Sequence, residues 1–140
     1  MKEVSFKTPL YEAEVSYLIG GEVKDLKDFL RSRNNGRLPT TYSWDKRFTF
    51  GKDGDTTNAY QFHVNAPLGD GEIFYVWVAD PTMDLLTHET THLTGDVLYT
   101  RGFGYCYDSE EAWSYLNGWL FDKIFHSIFE NPVLKECPAE

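Results

Sequence analysis

Apolar and polar residues alternate along 11–19, Tyr-Glu-Ala-Glu-Val-Ser-Tyr-Leu-Ile. This period-two pattern predicts a strand, closed by Gly20-Gly21. The period then lengthens. Val23, Leu26, Phe29 and Leu30 recur at helical spacing among charged residues, so 22–33 is expected to be an amphipathic helix that ends at Asn34-Asn35-Gly36. Residues 37–58 are rich in Gly, Asp, Thr and Asn and read as loop, with Trp44, Phe48 and Phe50 supplying a short strand or core cover. Alternation returns at 59–65, and 72–79 (Glu-Ile-Phe-Tyr-Val-Trp-Val-Ala) is the strongest strand of the chain. With the turn Pro67-Leu68-Gly69-Asp70-Gly71 between them, the pair predicts a hairpin. Asp80 as N-cap and Pro81 at the first position then open a helix carrying Leu85, Leu86, Leu93 and Val97. Gly95 either ends that helix or lets a neighbour pack closely. A glycine-punctuated aromatic loop, 99–107, leads to a final helix at about 109–129, capped by Asp108 or Ser109. Its apolar face is Ala112, Trp113, Leu116, Leu120, Ile124 and Ile128. Pro132 closes it, and the tail is expected to fray from about 131.

One stretch of the central helix carries chemistry. His88-Glu89-Thr90-Thr91-His92 reads H-E-x-x-H. On a helix, residues four apart share a face. The two imidazoles can therefore grip one zinc ion, with Glu89 in reach of the activated water as general base. The bland alternative is two surface histidines on an amphipathic helix.

A catalytic zinc takes three protein ligands and keeps a fourth position open. The metzincin pattern H-E-x-x-H-x-x-G-x-x-H is followed as far as Gly95, but Leu98 stands where the third histidine belongs. Met1 and Met83 are the only methionines, so no Met-turn follows the helix. A carboxylate from the next helix is the other common solution. Glu110 and Glu111 open that helix, 18 and 19 residues past His92.

Over roughly 72–125, this order of strand, metal helix, loop and glutamate helix resembles the gluzincins. It also looks like the short predicted metallopeptidases encoded by bacteriophages, through Trp77…Pro81 and the run Glu111-Ala112-Trp113-Ser114-Tyr115-Leu116. The resemblance implies a zincin-like α+β domain spanning 1–140, in which a small mixed or antiparallel sheet packs on the H-E-x-x-H helix and a C-terminal glutamate helix. It implies zinc held by His88, His92 and Glu111, and Glu89 as the catalytic base. Glu111 is preferred to Glu110 because it fits that pattern and shares a face with Tyr115 and Gly118, where another helix could approach. Helix capping through Asp108-x-x-Glu111 and the helix dipole would explain the same glutamates without metal.

The remaining candidates are weaker. Charge on the attacked carbonyl oxygen needs a second donor, and Tyr99, Arg101, Tyr105, Tyr107 and Tyr115 compete for that role without a decisive signal. Asp84 and Asp96, four residues from His88 and His92, could orient the imidazoles but are expected to face solvent. His63 in strand 59–65 reads as an ordinary hydrogen-bonded strand histidine rather than a ligand. Gly51-Lys52-Asp53-Gly54-Asp55 suggests a calcium loop but lacks the later ligands. Strand 72–79, if at a sheet edge, would pair with an extended substrate.

Composition sets the outer bounds. Hydrophobic residues make up 41% of the 140 and aromatics 16%, enough for a packed core without staples. The net charge of −9 argues against non-specific binding to nucleic acid or anionic membranes. Cys106 and Cys137 form no C-x-x-C pair and need no disulfide. No apolar N-terminal signal and no membrane-length run is visible, so the expected location is the cytoplasm of the producing cell. The expected activity is a zinc-dependent hydrolase acting on a peptide or protein. The alternative is a zinc-binding structural or interaction module without turnover, of the kind a phage or mobile element would carry.

Overall fold

The computed structural model describes residues 1–44, 46–52, 56–66 and 71–129. The calcium-like loop from Asp53 to Asp55, most of the 67–71 turn, Cys137 and the expected fraying tail lie outside the described residues. The described chain is α+β. Strands β1 (Lys2–Lys7) and β2 (Glu14–Ile19) precede helix α1 (Val23–Ser32). Strands β3 (Thr41–Ser43), β4 (Lys46–Phe48), β5 (Ala59–Asn65) and β6 (Glu72–Val78) follow. Helix α2 (Met83–Thr100), a 3-10 turn (Tyr107–Ser109) and helix α3 (Glu110–Phe129) complete it.

All six strands form one mixed sheet in the order β1-β2-β6-β5-β3-β4. The expected β5–β6 hairpin is present as an antiparallel pair from Ala59↔Val78 to Asn65↔Glu72. β6 also pairs in parallel with β2, from Glu14↔Ile73 to Ile19↔Val78. This explains its near-continuous apolar run, because both of its faces are buried. Phe74, Val76 and Val78 join Tyr17, Leu86, Leu93, Val97, Leu116 and Leu120 in one core layer. Tyr75 and Trp77 join Leu18, Val23, Leu26, Leu30 and Phe62 in the other. Helix α1 thus covers one face of the sheet, and α2 with α3 covers the other.

Several expectations shift. β6 is a central strand and has no free edge for substrate. β2 starts at Glu14 rather than residue 11, because Leu10 and Glu12 take positive φ in a turn closed by Thr8 N–H to Ala13 O (3.0 Å). β1 is an edge strand whose Val4 and Phe6 pack against the core, while Lys2 and Lys7 are exposed and Glu3 accepts from Ser16 (2.6 Å) and Arg33 (2.7 Å). Helix α2 is capped by Thr82, whose hydroxyl accepts from Leu85 N–H (3.2 Å), so Asp80 and Pro81 lie ahead of the helix. The turn before α3 is tied by Ser109, which donates to the carbonyl of Gly104 and accepts from Cys106 N–H (3.1 Å).

Among the described residues, no helix is long and apolar enough to cross a membrane.

Candidate metal centre

Helix α2 is not held by propensity. It contains four threonines between residues 87 and 94 as well as Gly95, all weaker helix formers than alanine. Tertiary burial holds it instead. Leu86, Leu93, Val97 and Leu98 are fully enclosed, and Tyr17 Oη meets Thr90 Oγ1 at 2.7 Å beneath the helix. Gly95 does not end the helix. It admits two tryptophans: a Cβ there would lie 2.4 Å from Trp44 Cζ2 and 2.7 Å from Trp113 Cη2.

This docking points His88 and His92 outward and Glu89 inward. Both histidines are exposed, and Glu89 is buried at 8% exposure. The two Nε2 atoms face each other at 3.1 Å, with ring centroids 4.7 Å apart and planes at 72°. Nitrogens at about 2.0–2.1 Å from a tetrahedral zinc are about 3.3 Å apart, so the pair already stands close to a shared-ligand spacing. Burial pushes the Glu89 carboxyl above the ordinary glutamate range, and the neighbouring His88 only partly offsets it. A carboxylate that binds its proton more tightly is suited to accepting one. Burial and His88 together hold the His92 imidazole below the usual histidine range, favouring the neutral form that ligates metal.

The third ligand is not assembled. Glu111 and Glu110 are exposed in the first turn of α3. Among the described residues, no third His, Cys, Asp or Glu joins His88 and His92 in a group able to hold a metal. The residues therefore fit zinc as a two-nitrogen grip with an adjacent base. Tyr115, four positions beyond Glu111, is 47% exposed, and a Cβ at Gly118 would meet nothing within 4 Å. The face shared by Glu111, Tyr115 and Gly118 is thus a solvent face, not the close helix contact expected of it. The contact with α2 is made instead by Trp113 and Asn117. The Thr94 hydroxyl donates to Asn117 Oδ1 at 2.9 Å.

Asp96 overturns another expectation. It is fully buried rather than solvent-facing, and its hydrogen-bond partners are Trp44, Gln61 and His63, not His92. Its carboxylate accepts from His63 Nδ1 (2.8 and 2.9 Å), from Gln61 Nε2 (2.8 Å) and from the backbone N–H of Trp44 (3.0 Å). His63 is thereby a buried, hydrogen-bonded strand residue as expected, and its ring stacks on Tyr42 at 5.5 Å. The network joins β5, the β3–β4 turn and α2. The available signal was the i, i+2 pair Gln61 and His63 on one face of a strand, two polar groups that need a buried partner.

Of the candidate donors for the carbonyl oxygen, Arg101 is engaged elsewhere, with Tyr11 O (3.3 Å) and Glu72 (3.3 Å). Tyr107 is 89% exposed. Tyr105 alone of the five lines a cleft with His92 among the described residues.

No protein-family model, curated protein or solved structure matches the chain.

Proposed function

We propose that this protein is a zinc-dependent hydrolase acting on a peptide or protein, with a zincin-like arrangement of its sheet and metal helix. The observation that carries this reading is the convergence of His88 Nε2 and His92 Nε2 to 3.1 Å beside a buried glutamate. His88 and His92 would hold the metal through these atoms. Glu111, in the first turn of α3, is the proposed third ligand. Zinc would supply Lewis acidity, acidifying water and polarising a carbonyl. Glu89 would take a proton from water at its carboxylate and pass it to the leaving nitrogen. Its burial, one helical position from His88, supports that role. Tyr105, in the cleft beside His92, is the best-placed donor to the carbonyl oxygen.

A zinc-binding module without turnover is favoured by one observation, the lack of an assembled third donor among the described residues. Zinc content of the purified protein and peptide hydrolysis by wild type and Glu89→Gln decide between the two. The hydrolase reading requires that Glu89→Gln keeps zinc and loses hydrolysis. Zinc-bound wild type that cleaves no peptide would establish the module reading.

A further inference from the structure

A cleft of about 500 Å³ opens directly beside His92, between α2, α3 and the turn after β3. Its walls are the rings of Trp44, Tyr105 and Trp113. Thr91, Ser114 and Asn117 add uncharged polar groups. No carboxylate, lysine or arginine lines it among the described residues. We propose that this cleft binds a large aromatic side chain of a peptide, and that in the hydrolase reading, on which this substrate sense rests, it selects the residue next to the bond that is cut.

The chemistry of the lining selects the ligand class. A charged side chain entering the cleft would lose water and find no carboxylate, lysine or arginine to pair with among the described lining residues. A sugar would stack on the rings, but its several hydroxyls would meet the Asn117 amide, the Thr91, Ser114 and Tyr105 hydroxyls and the His92 imidazole, with no carboxylate among the described lining residues. An aromatic ring would meet faces and edges already set for it. Tyr105 and Trp113 stand edge-to-face at 4.7 Å, and Trp44 is tilted against Trp113 at 6.1 Å.

The walls are built into the fold. Trp44 has φ +60, a left-handed conformation unfavourable for a bulky residue. Its backbone N–H is held there by the buried Asp96. Trp44 and Trp113 both close over Gly95, and Asn117 is fixed by Thr94. Walls ordered before binding lower its entropic cost.

The test is a nuclear magnetic resonance titration of zinc-free wild-type protein, repeated on zinc-loaded Glu89→Gln. The probes are N-acetyl-phenylalanine amide, N-acetyl-lysine amide, N-acetyl-glutamate amide and N-acetylglucosamine. The phenylalanine amide is expected to shift the indole signals of Trp44 and Trp113 and to bind about ten-fold more tightly than the others. Ser114→Trp, at an exposed position, should fill the cleft and abolish those shifts at unchanged melting temperature. Tyr105→Ala should weaken binding several-fold. Equal binding of the sugar or of a charged amide, or no shift with any probe, overturns the inference. Selective binding without peptide hydrolysis by zinc-loaded wild type would sink the hydrolase reading and leave the cleft assignment standing. Hydrolysis indifferent to aromatic residues, with no indole shifts, would do the reverse.

Discussion

The carboxylate of Asp96 holds His63 Nδ1 at 2.8 Å where neither side chain has appreciable contact with solvent. One carboxylate thereby connects helix α2 to the sheet and fixes the tryptophan that walls the cleft. Removing one partner of a buried, hydrogen-bonded charge leaves the other groups unsatisfied and costs about 3–5 kcal/mol. Asp96→Ala is therefore expected to lower stability by about that amount in denaturant unfolding. Asp96→Asn, which keeps some of the acceptors, should cost less. If Asp96→Ala unfolds at the wild-type midpoint, the network is not what docks α2.

Gly95→Ala should destabilise even though alanine is the better helix former by about 1 kcal/mol. The added methyl would fall well inside contact distance of both Trp44 and Trp113. Overpacking of this kind costs about 1–3 kcal/mol. Thermal melting together with near-ultraviolet circular dichroism, which reports the tryptophans, checks this. A higher melting temperature would show that the rings move aside freely.

If zinc is held as proposed, it should stabilise the folded protein, because helix α2 brings His88 and His92 together. At a hundred-fold excess over Kd, the linkage is worth about 2.7 kcal/mol, a rise of several degrees in Tm. Chelator should reverse the rise. His92→Ala should remove the response while leaving the metal-free Tm nearly unchanged, since the side chain is exposed. Glu111→Ala should weaken zinc binding and Glu110→Ala should not. The opposite pattern would move the third ligand by one residue.

Glu89→Gln should lower hydrolysis by about a hundred-fold or more, the usual contribution of a general base, at wild-type zinc content. The amide also relieves a buried carboxylate that desolvation disfavours. Metal-free Glu89→Gln is accordingly expected to be at least as stable as wild type at neutral pH. Unchanged hydrolysis would exclude Glu89 as the base.

Alkali should destabilise the protein in part through Tyr17. Burial pushes its phenol well above the ordinary tyrosine range, and the Thr90 hydrogen bond only partly offsets this. The unfolded chain loses the proton near the ordinary pKa of about 10 while the folded chain keeps it. The stabilisation is complete below that pH and is lost as pH rises toward the folded value. Tyr75, also raised by burial, adds in the same direction. In Tyr17→Phe, stability should fall less steeply between pH 9 and pH 11, a window set by that reference value. An unchanged slope would show that Tyr17 does not drive the alkaline loss.

The legible parts of the fold were those with a local period. Strands β5 and β6, the faces of α1 and α3, and the existence of α2 follow from alternation or from 3.6-residue recurrence. The parts that depend on distant pairing did not. Nothing within Glu14–Ile19 states that it runs parallel to β6, and the charges of Lys2–Lys7 concealed an edge strand in which only Val4 and Phe6 are half-buried. Asp96 illustrates the same limit at the site. Its sequence neighbours gave no sign of Gln61 and His63, which reach it only through the sheet. The histidine pair was legible because four residues of helix bring it together. The position of Glu111 relative to that pair was not, because two helices and a loop decide where a glutamate on α3 stands.

The hydrogen bond between Tyr17 and Thr90 joins residues 73 positions apart. It lies beneath the helix that carries both histidines. An isolated α2 peptide would possess the whole H-E-x-x-H segment but not the surface that orients it. The floor beneath α2 is the parallel β2–β6 pair, whose partners are about 60 residues apart in the chain, and long-range pairing of this kind folds slowly. A metal held as proposed would therefore bind a helix already seated on its sheet.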